Sequence, residues 1–79
     1  MPKFADELLV TKVFVACLKR SRTIEEITRH IYKNGYAKNQ LRVFQTIETF
    51  IGEGIIVPKV SNGSLRFQIN TELIKELMH

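Results

Sequence analysis

Asn62-Gly63 narrows the possible folds of this chain more than any other pair. It separates two short segments with alternating apolar residues, Ile55-Ile56-Val57-Pro58-Lys59-Val60 and Leu65-Arg66-Phe67-Gln68-Ile69. Asn-Gly is the preferred pair for the two-residue turn of a tight hairpin, where both central residues take positive φ. Pairing about that turn sets Val60 opposite Leu65, Pro58 opposite Phe67 and Ile56 opposite Ile69 on one face, with Lys59 and Arg66 on the other. A slip of one residue would turn the apolar set to solvent, so turn and pattern specify one register. Pro58 has no amide hydrogen and implies a free edge on the first strand.

Upstream of the hairpin the period is helical. A first helix is expected from about Lys3 or Phe4 to Arg20, with Pro2 near its start and Lys19-Arg20 at its negative end. Leu9, Val13 and Ala16 mark one line on it, Val10, Phe14, Cys17 and Leu18 another, and Val15 lies elsewhere. So broad an apolar surface belongs to a helix at the centre of the core or one covered by a second chain. Thr23-Ile24-Glu25-Glu26 fits a capping box that opens a second helix, and Asn34-Gly35 is expected to close it. After the short linker Tyr36-Ala37 a third helix, roughly Lys38 to Ile51, puts Leu41, Val43, Phe44, Ile47, Phe50 and Ile51 within half its circumference. The opposite half holds Lys38, Asn39, Arg42, Gln45, Thr46 and Thr49, with no acid among them. Gly52-Glu53-Gly54 ends this helix. A last short helix begins near Asn70 or Thr71, with Thr71-Glu72 as its cap and Leu73, Ile74, Leu77 and Met78 as its apolar side.

Seventy-nine residues are expected to form one domain, residues 1–79, with no linker or repeat. Charge is unevenly placed. Lys19 to Arg42 carries seven bases against two acids, whereas the rest of the chain has five against six. The whole net charge of +4 therefore sits in the middle segment, a local field that favours a polyanion. Cys17 is the only cysteine, which excludes an internal disulfide and four-ligand zinc spacing and fits a buried, inert thiol. The apolar run Leu8 to Leu18 is interrupted by Thr11 and Lys12 and is too short to span a bilayer. Asp6 and Glu7 stand before it, where a signal peptide would be positive, so the expected location is intracellular.

The order helix, helix, turn, helix, hairpin, helix resembles the winged helix-turn-helix family. Thr23-Ile24-Glu25-Glu26-Ile27 resembles the start of that family's second helix, and Phe50-Ile51-Gly52-Glu53-Gly54-Ile55-Ile56 resembles the end of its recognition helix running into the wing. Nearly the whole chain is covered, and its size is similar to that of small regulators of archaea and their viruses. The resemblance implies an α+β, mostly helical fold: a three-helix core, a β-hairpin wing and a short C-terminal helix. Gly35 to Gly54 is a little longer than the family's usual spacing, which leaves room for a later helix start with Lys38 and Asn39 in the turn.

The implied function is sequence-specific binding of double-stranded DNA by a transcription regulator. Carried onto this chain, Asn39, Arg42, Gln45 and Thr46 become base-edge candidates, since Arg pairs with guanine and Asn or Gln with adenine. Lys38, Thr49 and the bases before the second helix would touch phosphates. Lys59 and Arg66 would do so from the wing. Two other readings stay open: a winged-helix subunit that binds protein, and a non-specific duplex binder of chromatin or replication. No enzyme, cofactor, metal or small-molecule ligand is expected, because Ser21, Ser61 and Ser64 lack a His and acid arrangement and His30 has no partner at ligand spacing. Surplus apolar residues on the first and last helices lead to the expectation of a homodimer through those two elements.

Overall fold

The computed structural model describes residues 7–77, apart from the side chains of Tyr36 and Leu77. Four helices and a two-stranded antiparallel hairpin follow one another: α1 (Glu7–Lys19), α2 (Ile24–Ile31), α3 (Tyr36–Gly52), β1 (Ile56–Ser61), β2 (Ser64–Ile69) and α4 (Thr71–Leu77). The fold is α+β and mostly helical. The expected helix start at Lys3 or Phe4, with Pro2, falls outside the described residues, as does Met78.

Each boundary has a local cause. Thr23 caps α2 through the expected box: the Glu26 amide donates to Thr23 Oγ1 at 3.2 Å, and the Thr23 amide donates to Glu26 Oε1 at 2.9 Å. At the far end of α3, the Ile55 amide reaches Phe50 O and the Gly54 amide reaches Ile51 O. This pair of bonds needs a left-handed residue at the stop, and Gly54 supplies it at φ 76°. Asn70 caps α4, its Oδ1 accepting from the amides of Glu72 and Leu73. The expected Thr71-Glu72 cap is thus corrected by one position, because Asn70 stands before the first turn and its short side chain reaches forward to the free amides there.

Two further expectations change. Helix α2 ends at Ile31, with Tyr32 extended, so Gly35 does not close it; left-handed at φ 69°, Gly35 is instead the residue before α3. Helix α3 begins at Tyr36, earlier than the expected Lys38, and the linker Tyr36-Ala37 is its first turn. Lys38 and Asn39 are therefore helical rather than part of the turn. Asn39 Nδ2 donates to Gly35 O at 3.0 Å and the Lys38 amide to the same carbonyl at 3.2 Å, which holds the first turn in place of a side-chain cap.

The hairpin has the expected register throughout, from Ile56 opposite Ile69 to Ser61 opposite Ser64. Asn62 and Gly63 both have positive φ, 52° and 76°, as the turn requires. Phe67 exchanges both of its backbone hydrogen bonds with Arg22, at 3.0 and 2.8 Å. Its polar groups thus point away from β1, and Pro58 opposite it loses no ladder bond by lacking an amide hydrogen.

One core gathers these elements: Leu9, Val13, Ala16 and Cys17 of α1, Ile27 of α2, Val43, Ile47 and Phe50 of α3, and Ile56, Phe67 and Ile69 of the hairpin. Thr28 is buried with them, its hydroxyl donating to Ile24 O at 2.7 Å. The wing tip leaves the core: Val60 and Leu65, on the same face as Ile56 and Phe67, are exposed.

Candidate nucleic-acid interface

The surface of α3 is set by which of its residues the core takes. Val43, Ile47 and Phe50 are buried, and Ile51 is half-buried. Leu41 is 65% exposed and Phe44 38% exposed, so the six-residue apolar half expected from the sequence is only partly inward. The helix is turned relative to that expectation, because packing against α1 and α2 engages a narrower stripe than the apolar residues occupy.

The turn redistributes the candidate contacts. Lys38, Arg42 and Gln45 are exposed, spaced four and three residues apart, and therefore share one side of the helix. Leu41 lies in the same exposed region, one turn from Lys38 and from Gln45. Asn39, Thr46 and Thr49 are half-buried at the flank. The Thr46 hydroxyl donates to Arg42 O at 3.0 Å and that of Thr49 to Gln45 O at 3.1 Å, bonds within the helix that leave their oxygens able to accept. Glu48 is exposed as well. The outward surface of α3 is therefore not free of acid, in contrast to the polar half read from the sequence.

The wing separates its two cations. Lys59 is exposed, whereas Arg66, directly across the ladder, is half-buried. Arg66 Nη1 donates to Glu26 Oε1 at 3.1 Å and to Ser21 O at 3.2 Å. Arg20 Nη2 stands 3.7 Å from the other oxygen of the same carboxylate. The hydrogen bond from the Thr23 amide lowers the Glu26 pKa below its ordinary value; burial opposes it with the next largest effect, and the charges of Arg66 and then Arg20 add to the lowering. Arg22 is also turned inward, with Nε donating to Ala16 O at 2.8 Å near the end of α1. Of the bases that precede α2, Arg22 and Arg20 thus have partners in the fold, and Lys19 is exposed.

No family model matches this chain, and no curated protein or solved structure matches it either. Function has to be read from the side chains. Among the described residues no group of three or more His, Cys, Asp or Glu is placed to hold a metal ion. No helix there is long and apolar enough to cross a membrane. Cys17 is buried in the core, and that burial raises its pKa to about 11 against a smaller lowering by Arg22, so the thiolate is scarce at neutral pH. The exposed row on α3 presents two cations and an amide to solvent, and exposed Lys59 adds a cation on the wing. A shallow apolar recess beside that row, lined by Ile24, Ala37, Gln40, Leu41 and Phe44, is the feature sequence reasoning missed. Its only sequence signal was an apolar set on α3 wider than a single buried stripe.

Proposed function

We propose that this chain is a winged helix-turn-helix protein that binds double-stranded DNA in a sequence-specific manner and regulates transcription. Helix α3 enters the major groove, and the β1–β2 hairpin acts as the wing on the flanking backbone. The observation that carries the reading is the exposed row Lys38, Arg42 and Gln45 on α3, the helix joined to capped α2 by the four residues 32–35. Arg42 and Gln45 supply bidentate groups for guanine and adenine, and Lys38 supplies a charge for phosphate. Exposed Leu41 adds an apolar group of the kind that contacts thymine methyls. Glu48 can accept from a cytosine amino group but otherwise repels phosphate, so it opposes binding to duplexes that lack a suitable base.

A second reading has its own observation. The Leu41–Phe44 recess, with exposed Glu48 one helical turn after Phe44, suits an apolar, basic segment of another protein, which would make the chain an adaptor subunit. Titration of a short duplex pool at several salt concentrations separates the two. DNA binding predicts affinity that falls steeply and log-linearly with salt as counterions are released. The adaptor reading predicts no measurable duplex binding even at low salt.

A further inference from the structure

Leu8, Val15 and Leu18 of α1 are 63%, 40% and 50% exposed. With Thr11 they recur at the three-four-three spacing of a helix-pair seam, Leu8 and Val15 at the first core position and Thr11 and Leu18 at the second. The Thr11 hydroxyl donates to Glu7 O at 3.1 Å, so it brings no unsatisfied hydrogen to that seam. The opposite side of α1, with Leu9, Val13, Ala16 and Cys17, fills the core. The C-terminal helix does not cover the exposed row, and Leu73 and Ile74 are half-buried within their own chain.

We infer that this face of α1 pairs with the same face of a second copy of the chain, the two helices running parallel about a two-fold axis. Charge placement selects both the partner and the direction. In the heptad set by Leu8 and Leu18, Glu7 and Lys12 occupy the two flanking positions five residues apart. That is the offset at which flanking residues of parallel helices meet, so Glu7 of each copy lies against Lys12 of the other. An antiparallel pair would bring like flanks together, setting Lys12 of each copy against Lys19 of the other. Lys12 is exposed at the rim of a recess shared with Val15 of α1 and with His30 and Ile31 of α2, which leaves room for an incoming carboxylate. The 13 residues of α1 span roughly 20 Å, so the seam is short and the dimer forms at micromolar or higher concentration rather than obligately. The pairing involves no nucleic acid and stands or falls separately from the DNA reading.

Sedimentation velocity on the whole chain across a concentration series tests the pairing. The unmodified chain is expected to shift from one-chain to two-chain mass. Leu18→Asp puts an unpaired carboxylate into the seam and weakens dimerisation at least about tenfold. Glu7→Lys and Lys12→Glu each weaken it roughly three- to tenfold. An equimolar mixture of those two variants regains the original affinity, because every flanking pair is again of opposite sign. Both charge variants lie at exposed positions, and unchanged helical circular dichroism verifies their folding. One-chain mass at all concentrations would overturn the inference, as would a dimer indifferent to Leu18→Asp. Tighter dimerisation of Lys12→Glu would contradict the parallel arrangement.

Discussion

Arg66 Nη1 lies 3.1 Å from Glu26 Oε1, the oxygen that also accepts the Thr23 amide at 2.9 Å. One carboxylate therefore closes the N-terminus of α2 and anchors the middle of β2, 40 residues later in the chain. The wing is held against the helical body by this link and by the Arg22–Phe67 bridge. If α3 and the wing address one duplex together, their relative position depends on these contacts.

Glu26 makes that link sensitive to acid. Its folded-state pKa is lowered, so its contribution is fully present above the ordinary value of 4.5 and is lost as pH falls through the lowered folded value. Glu26→Gln keeps an oxygen for the Thr23 amide but cannot lose a charge. Urea unfolding from pH 6 downward is expected to show the unmodified chain losing more stability below the ordinary carboxylate value than Glu26→Gln. Glu26→Ala removes the box as well and is expected to cost about 1 kcal/mol at neutral pH. Parallel pH profiles for the unmodified chain and Glu26→Gln would contradict this role.

Lys59 and Arg66 face each other across the ladder, yet their substitutions are expected to separate. Lys59→Ala lowers duplex affinity by a similar factor for all sequences and reduces the slope of log affinity against log salt by about one. Arg66→Ala leaves the Glu26 carboxylate with less compensation and lowers stability by about 1 kcal/mol, with no change in the salt slope. Anisotropy titrations and urea melts on both variants check the assignment. A reduced salt slope for Arg66→Ala would place its guanidinium on phosphate instead.

The hairpin was legible in the sequence because two independent signals agree. Asn62-Gly63 defines the turn type, and alternation defines which residues face inward. The Thr23–Glu26 box was legible because it is complete within four residues. The Arg66–Glu26 pair was not legible, because the two residues are distant in sequence and no local pattern marks Glu26 as an acceptor for Arg66. The rotation of α3 was hidden for a related reason. Six apolar residues spread over half a helix leave several ways to face a core, and the choice of Val43, Ile47 and Phe50 is made by α1, α2 and the hairpin. Gly35 shows the same ambiguity in small form, since a left-handed glycine between two helices suits the end of one and the start of the next.

That rotation has a direct consequence for stability. Ile47→Ala is expected to cost about 2–5 kcal/mol, as for a large side chain removed from a close-packed interior. Leu41→Ala, at a mostly exposed position of the same helix, is expected to change stability by no more than about 0.5 kcal/mol. Equilibrium denaturation of the two variants compares them. Equal, large losses would mean that Leu41 is buried and that the outward surface of α3 is the one drawn from the sequence alone.

Helix α3 is proposed to read base sequence through the row that includes Arg42 and Gln45. Selection from a random duplex pool, run in parallel with the unmodified chain, Arg42→Ala and Gln45→Ala, tests it most directly. An enriched motif is expected for the unmodified chain, with each variant losing preference at its own base position while remaining folded. Loss of one good bidentate contact corresponds to roughly 1–3 kcal/mol of discrimination at that position. An identical motif from all three proteins, or no enrichment from the unmodified chain at low salt, would contradict it.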